Sequence, residues 1–357
     1  MKASARRDAA NAVMLLDSVT VGDLELRAYG WLLPYKERSV SGFEVIVDGH
    51  SAPAVWHKHD SPDVAQVMRN VPGSERARFD LRADFRANRR RNSTGMVRAT
   101  LDDGSQTFAM FPIASDIPTP DERMAGMVGG HFTQIGFAFL APLIQFGGLR
   151  QDAAVLDAGC GCGRIAYGLA HYLSQQGSYV GFDIMRGHIE WARDVMARDL
   201  PKFTFIHADI TNQQYNPTGA IRSIDYRFPC DENSVDLCIA TSLYTHMLKE
   251  DSFHYIKETA RVLKKGSRSF ITAFIMTDEA KRSVASGFAL QDIRHAIDQE
   301  GILTARPDMP EAVIGIEEQM LFSWVADAGL EVELFYPGWW AHENSPTHQD
   351  ILVLRKK

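Results

Sequence analysis

The stretch VLDAGCGCGRIA, residues 155–166, joins an apolar run to three alternating glycines and two cysteines. Glycine lets a backbone turn sharply and approach a ligand closely, whereas Cys-x-Cys spacing suggests a metal site. The other two cysteines, Cys230 and Cys238, lack the paired spacing of a closed zinc site. Four cysteines in a chain of 357 residues also make no disulfide framework. We therefore interpret the stretch as a glycine turn with small buried thiols.

The sequence around this turn alternates between strand-like and helical runs from about residue 126 onwards. Strands are predicted for AAVLDAG, SYVGFDI, KFTFIHADI, VDLCIATS, RSFITAFI, LEVELFY and DILVLRK. Helices are predicted for residues 131–149 and 252–266, among others, and residues 278–315 look irregular. Alternation of this kind predicts an α/β fold, a doubly wound, seven-stranded and mostly parallel sheet with helices on both faces.

The N-terminal third has a different pattern of apolar and polar residues. From Ser18 to Ile113 apolar and polar residues alternate, and turn signals such as Asp48–Gly49 separate the runs. Several short strands with regular turns predict an all-β sandwich. We expect a disordered N-terminus at 1–14, a β-sandwich accessory domain at 15–113, a Pro-rich linker at 114–125 and the α/β domain at 126–357.

Charge and hydropathy exclude several classes of protein. The net charge of −7 disfavours a nucleic-acid partner, since phosphate-backbone binders are normally basic. The basic run RANRRR at 86–91 is expected to be a solvated loop, with a docking patch for an anionic partner as the alternative. No apolar run reaches the roughly 20 residues that span a bilayer, and we recognise no signal peptide. A cytoplasmic location is therefore expected.

The spacing of the glycines indicates which kind of ligand the turn binds. In a doubly wound sheet, ligands bind beyond the carboxyl ends of the strands, which is where this turn falls. A dinucleotide fingerprint reads Gly-x-Gly-x-x-Gly, but here the spacing is Gly-x-Gly-x-Gly, with Asp157 two places before the first glycine. Carboxylates repel the phosphates of a dinucleotide and attract a cationic ligand.

In this combination the α/β region resembles the class I S-adenosylmethionine-dependent methyltransferases. The first motif corresponds to Asp157-x-Gly159-x-Gly161-x-Gly163, and RVLKKG at 261–266 resembles the helix end before the fifth strand. The resemblance implies that Asp183 holds both ribose hydroxyls of S-adenosylmethionine and that Asp209 faces the adenine amino group. It also places Ile184, Ile210 and Thr241 at the cofactor. From the residues alone, Asp183 could instead cap the following helix, and Asp209 could close an Asx-turn.

The run ATSLYTHML, residues 240–248, follows the fourth strand, where the family faces the methyl group. It lacks the Asn/Asp-Pro-Pro-Tyr/Phe motif of enzymes that methylate nucleic-acid bases. It carries Tyr244, which we expect to contact substrate, and His246. Histidine titrates near neutral pH and can take the proton of a hydroxyl acceptor. His246 is therefore the candidate catalytic base, with a structural histidine at a strand-to-helix turn as the alternative.

A second cluster, YPGWWAHENSPTHQD at 336–350, lies between the last two strands. Trp340 and His342 are candidate substrate-binding residues, because aromatic faces beside polar groups suit a sugar ring. The alternative is that these aromatics pack the loop onto the sheet edge. A metal site from His342, His348 and Glu343 is not expected. The insertions 211–234 and 278–315 are expected to cover the site, and Tyr215, Asn216 and Arg222 are possible lining residues.

The N-terminal segment resembles a β-sandwich module found beside methyltransferase and glycosyltransferase domains, through GW at 30–31, VDG at 47–49, SPDVA at 61–65 and FDL at 79–81. We therefore expect an O-methyltransferase acting on a small molecule, a sugar or a cell-surface glycan precursor. Another small metabolite as N- or O-acceptor is the first alternative. A scaffold that binds the cofactor without turnover is the second, and a nicotinamide dehydrogenase is the third. The oligomeric state stays open.

Overall fold

The computed structural model describes residues 12–34, 38–68, 71–84, 93–127, 131–297, 300–342 and 347–357. The chain forms two compact units. Of the described residues, the first contains 12–142 together with Arg164–Tyr172, and the second contains Leu143–Gly163 and Leu173–Lys357. The basic run at 86–91 lies outside the described residues, so its predicted loop is not assessed.

Seven antiparallel strands form the first unit, in the order β1-β2-β5-β4-β3-β6-β7. Their bounds are β1 (Ala12–Val21), β2 (Glu25–Pro34), β3 (Val40–Val47), β4 (His50–His59), β5 (Arg78–Asp84), β6 (Ser93–Leu101) and β7 (Gln106–Ala114). The first half of β4 pairs with β3 and its second half with β5, so this strand belongs to both layers. The predicted β-sandwich is confirmed.

The sandwich closes almost into a barrel. The Thr107 hydroxyl of β7 donates to the carbonyl of Ala12 in β1 at 3.2 Å, and alternate inward residues of both layers fill one apolar core. Strand β1 begins at Ala12, with Ala12 and Met14 buried. Residues 12–14 therefore belong to the strand, which corrects the predicted terminus at 1–14, because their apolar side chains face this core.

The helices of the first part of the chain are short. They are α1 (Pro62–Val67), α2 (Glu122–Met127), α3 (Phe132–Ala138), α4 (Leu140–Gln145) and α5 (Arg164–Tyr172). The single helix predicted over 131–149 is divided into α3 and α4. Pro142 explains the division, since it has no N–H to donate to the carbonyl four residues earlier, that of Ala138.

The second unit contains the predicted seven-stranded sheet, in the order β10-β9-β8-β11-β12-β18-β17. All of its neighbouring strands are parallel except the pairs formed by β18. The strands of this unit are β8 (Ala154–Ala158), β9 (Ser178–Asp183), β10 (Phe203–His207), β11 (Val235–Thr241), β12 (Leu263–Ala273), β13 (Ile275–Met276), β14 (His295–Ala296), β15 (Ile302–Thr304), β16 (Ile314–Glu317), β17 (Leu330–Tyr336) and β18 (Asp350–Lys356).

Two sequence predictions need correction in this unit. The helices are α6 (Arg186–Trp191), α7 (Lys249–Val262), α8 (Asp278–Ser286) and α9 (Glu318–Asp327), so α7 ends four residues before Gly266. Leu263 already has extended backbone angles and pairs with Val235 of β11. The region 278–315 is also not irregular. It holds α8 and most of a small four-stranded sheet, ordered β13-β16-β15-β14.

Two strand glycines of the sandwich give a test of this packing. A Cβ on Gly30 would lie 2.2 Å from the Leu15 carbonyl oxygen, whereas a Cβ on Gly42 would meet nothing within 4 Å. We expect Gly30→Ala to lower the free energy of unfolding by about 1–3 kcal/mol, because backbone must move to make room. Urea titration measures this loss. Gly42→Ala is the matched control, and equal stabilities for the two variants would contradict the packing described.

Candidate functional site

The glycine turn follows β8 and lies at the carboxyl edge of the parallel strands. Gly159, Gly161 and Gly163 have φ angles of +76°, +56° and +84°, a region that side chains disfavour. A Cβ on Gly159 would lie 3.0 Å from Leu243, and one on Gly163 would lie 2.7 Å from Met196. The turn therefore presents bare backbone, as a cradle for a ligand requires. The cysteines of this turn are buried, as the sequence predicted.

Asp183, at the end of β9, holds this turn in place. Its Oδ2 accepts the Gly161 N–H at 2.8 Å and its Oδ1 accepts the Met185 N–H at 2.8 Å. Met185 directly precedes α6, so Asp183 joins the turn to the start of the helix. Burial raises the pKa of Asp183, and the backbone N–H donors oppose that shift. The Ile184 N–H is a third backbone donor to this carboxylate, and since a carboxylate offers about four lone-pair sites, at least one remains for a further donor.

Asp157 lies beneath the turn. Its side chain is buried, and Oδ2 accepts the hydroxyl of Tyr179 at 2.9 Å. Burial, followed by the charge of Asp157, raises the pKa of Tyr179, so this phenol stays protonated and keeps donating. At least one carboxylate oxygen of Asp157 is thus used inside the protein.

The remaining predicted cofactor residues lie at the same sheet edge. Asp209, half-buried after β10, accepts a hydrogen bond from Asn216 Nδ2 at 3.2 Å. The buried Ile210 accepts from the same amide at 3.0 Å through its carbonyl oxygen. Ile184 is half-buried directly after Asp183, and Thr241 is half-buried as the last residue of β11. The sheet brings all of these residues to one edge.

Ser242, the next residue after β11, has a left-handed backbone with φ +55°. Such a conformation costs about 1–3 kcal/mol outside glycine and is found at functional sites. The Ser242 N–H donates to Thr272 Oγ1 at 2.8 Å, which holds the bend against β12. Sequence reasoning missed Ser242, because nothing in a serine predicts a positive φ.

His246 is held in one tautomer by a main-chain carbonyl. Its Nδ1 lies 2.9 Å from the Glu311 carbonyl oxygen. A carbonyl can only accept, so Nδ1 carries the hydrogen and Nε2 carries the lone pair. Nε2 lies 3.4 Å from the Tyr215 hydroxyl. Burial lowers the pKa of His246, and the hydrogen bond to Glu311 opposes this, so the ring is kept in its basic form.

The insertion that carries Tyr215 is fixed by the side chain of Glu311. This carboxylate is 7% exposed and accepts Asn212 Nδ2 at 2.9 Å and the Gln213 N–H at 2.8 Å. Burial raises the pKa of Tyr215, and the charge of Asp183 adds to the shift. Tyr215 therefore lies within electrostatic reach of Asp183, which connects the base to the glycine turn.

The structure buries the three side chains that were predicted to contact substrate. Tyr244 is 2% exposed and belongs to the apolar core of the second unit. Trp340 is fully buried, and its Nε1 donates to Asp350 Oδ2 at 3.0 Å. His342 is buried with its Nδ1 3.3 Å from Glu279 Oε1. For Trp340 and His342, this burial favours the packing alternative considered for the second cluster.

Of the possible lining residues in the first insertion, Tyr215 alone faces the candidate base. Asn216 is used on Asp209, and Arg222 forms an exposed ion pair with Asp225. Sequence reasoning missed Glu311 entirely, since it lies in a region without periodicity. Within the described ranges, no group of three or more His, Cys, Asp or Glu side chains is arranged to hold a metal ion; Glu343 lies outside them.

Comparison with known proteins identifies the second unit. Residues 149–319 match the family model described as a methyltransferase domain, and with the sheet order above this defines a class I S-adenosylmethionine-dependent methyltransferase. These residues form the methyltransferase domain of an enzyme that uses S-adenosylmethionine as its cofactor. No helix in the described part of the chain is long and apolar enough to cross a membrane.

Solved structures similar to this chain include several methyltransferases. An S-adenosylmethionine-dependent methyltransferase from Methanosarcina mazei is 20% identical, with a TM-score of 0.40, over 60% of this chain and 97% of its own. An S-adenosylmethionine-dependent methyltransferase from Aquifex aeolicus is 16% identical, with a TM-score of 0.37, over 60% of this chain and 86% of its own. A putative sarcosine dimethylglycine methyltransferase from Galdieria sulphuraria is 14% identical, with a TM-score of 0.41, over 61% of this chain and 84% of its own. Likenesses this distant say nothing about the acceptor.

Replacing one oxygen of Glu311 tests its hold on the insertion. In Glu311→Gln, an amide NH₂ faces either the Gln213 N–H or the Asn212 amide, so one hydrogen bond to a charged group is lost. Such a bond is worth about 1.5–3 kcal/mol, and we expect residues 211–216 to exchange amide hydrogens roughly 10–100-fold faster. Hydrogen exchange followed by mass spectrometry measures this.

The control for that experiment is Glu317→Gln, which removes an exposed ion pair with Lys281. It lowers the charge equally but touches no residue of the insertion. Unchanged exchange at 211–216 in Glu311→Gln would show that the carboxylate does not fix the insertion.

Proposed function

We propose that this methyltransferase transfers the methyl group to a hydroxyl acceptor, with His246 as the general base. The observation that carries the proposal is the 2.9 Å contact of His246 Nδ1 with the Glu311 carbonyl oxygen. It leaves the Nε2 lone pair as the proton acceptor, and burial keeps the ring neutral. A hydroxyl nucleophile must lose a proton on methylation, whereas a neutral amine already has a free lone pair for attack.

The residues that hold the cofactor are also part of the proposal. The glycine turn at 159–163 offers bare backbone, and Asp183 retains at least one lone pair for the ribose hydroxyls after binding Gly161, Ile184 and Met185. Asp157 and Asp209 add negative charge around a cationic ligand, and Ile184, Ile210 and Thr241 complete the contacts. When bound, S-adenosylmethionine supplies an electrophilic methyl group.

In this proposal the chain positions the acceptor and removes its proton. His246 Nε2 takes the hydroxyl proton, and the Glu311 carbonyl stabilises the resulting imidazolium through Nδ1–H. The Tyr215 hydroxyl, 3.4 Å from Nε2, indicates where an acceptor oxygen can meet the base. Orientation of this kind can supply about 7–11 kcal/mol of the barrier reduction.

We propose a sugar or a cell-surface glycan precursor as the first acceptor class to test. The support is the resemblance of the N-terminal sandwich to modules found beside glycosyltransferases, which is an argument by analogy. Another small metabolite, methylated on nitrogen or oxygen, is the alternative. A cytoplasmic location and the absence of a nucleic-acid partner are proposed from composition alone. Extracts incubated with isotopically labelled S-adenosylmethionine, analysed by mass spectrometry, identify the molecule that gains the label.

Substitution of His246 tests the base. Loss of a general base costs roughly 10²–10⁴-fold in rate, so we expect kcat/KM to fall by that factor in His246→Gln. In the wild type, the basic form is lost as the pH falls through the lowered pKa, so kcat/KM should fall on the acid side below 6.5, the ordinary pKa of histidine. The variant should lack this acid limb.

The labelled product from the extract serves as the reporter of rate in that experiment. Tyr215→Phe is the companion variant, since it removes only the hydroxyl near Nε2, and we expect a loss under about tenfold. If His246→Gln keeps the wild-type rate and pH profile, the base assignment fails, and transfer of the label to nitrogen would overturn the hydroxyl acceptor.

A further inference from the structure

The residue before the last strand, Gln349, forms a polar cluster with Ser242 and Thr272. Oε1 of Gln349 accepts the Thr272 hydroxyl at 2.7 Å and the Ser242 hydroxyl at 3.0 Å. The Thr272 oxygen in turn accepts the Ser242 N–H at 2.8 Å. The three residues thus join the ends of β11 and β12 to the start of β18.

These bonds fix the orientation of the Gln349 amide. Both hydroxyls donate to Oε1, so the Nε2 end of the amide is not used on Ser242 or Thr272. Nε2 makes no hydrogen bond within the described part of the chain, and it is not among the buried polar atoms that lack a partner. A primary amide nitrogen carries two donors, so Gln349 has two donors that no described residue uses.

The position of Gln349 on the sheet places it on the side of the site away from the two acids. Strand β18 is antiparallel to β12, with Asp350 opposite Ala273, so Gln349 lies at the carboxyl edge of the parallel strands. It is three strands from β8 on the side away from β9, roughly 14 Å at about 4.8 Å per strand. The acids Asp183 and Asp209 lie on the opposite side of β8.

We propose that Gln349 binds the methyl acceptor by donating a hydrogen bond from Nε2 to one of its oxygens. The proposal rests on the proposed function of this site. The proposal implies that the methyl acceptor is an oxygen-rich small molecule, because an amide nitrogen with both donors free recognises a hydroxyl, ether or carbonyl oxygen. The strained Ser242 then has a role, since its left-handed backbone brings its hydroxyl to Oε1.

Gln349→Glu is the sharpest test, because a carboxylate still accepts both hydroxyls but has no donors in place of Nε2. With the extract fraction that gains label from the wild type, we expect the apparent KM for the acceptor to rise about 10–100-fold, with kcat changed far less. The Kd of S-adenosylhomocysteine, measured by calorimetry, should stay within about twofold. Gln349→Met, which has no amide, should likewise raise the acceptor KM while leaving kcat and the Kd of S-adenosylhomocysteine nearly unchanged.

The matched control is Gln176→Glu. Gln176 Oε1 also accepts a serine hydroxyl, that of Ser174 at 3.0 Å, but it is exposed and lies just before β9, at the amino edge of the sheet. An unchanged acceptor KM in both Gln349 variants overturns the assignment, as does an equal loss of S-adenosylhomocysteine affinity, which would place the amide on the cofactor. Absence of label transfer by the wild type refutes the proposed function, and the acceptor role of Gln349 with it.

Discussion

The hydrogen bond from the Gly161 N–H to Asp183 is the constraint on which the rest of the second unit depends. It joins the turn after the first parallel strand to the end of its neighbour, and the same carboxylate holds the first residues of α6 through Met185. Three glycines with positive φ make the turn tight enough for this contact. A buried carboxylate is costly unless its lone pairs are used, so the turn and the acid stabilise each other.

The sequence was informative where local pattern and structure agree. Alternation of strand-like and helical runs predicted the seven-stranded sheet of the second unit, and the glycine spacing located the turn at its edge, because strand and helix periodicity and runs of glycine are visible in sequence. The same reasoning did not predict that the side chains of Tyr244, Trp340 and His342 are buried. Polar or aromatic residues in a loop look alike whether they face solvent or a core, and only tertiary packing decides between the two.

Contacts between distant segments could not be predicted at all. The carbonyl of Glu311 reaches His246 across 65 residues, and Gln349 reaches Ser242 across 107. No periodicity connects such positions, since they meet only when the sheet order is fixed. The candidate base was found from its position after the fourth strand, whereas the groups that orient it come from an insertion whose small sheet was taken for irregular chain.

The tautomer of His246 is set by a main-chain atom, the carbonyl oxygen of Glu311. Every one of the twenty amino acids carries a carbonyl, so a change of side chain at position 311 removes the grip on the insertion but not the acceptor for Nδ1. Evolution can therefore remodel the covering loop, and with it the range of molecules admitted, while the proton-accepting nitrogen keeps its identity. Within this single residue, the side chain affects which substrates are admitted and the main-chain carbonyl preserves the chemistry.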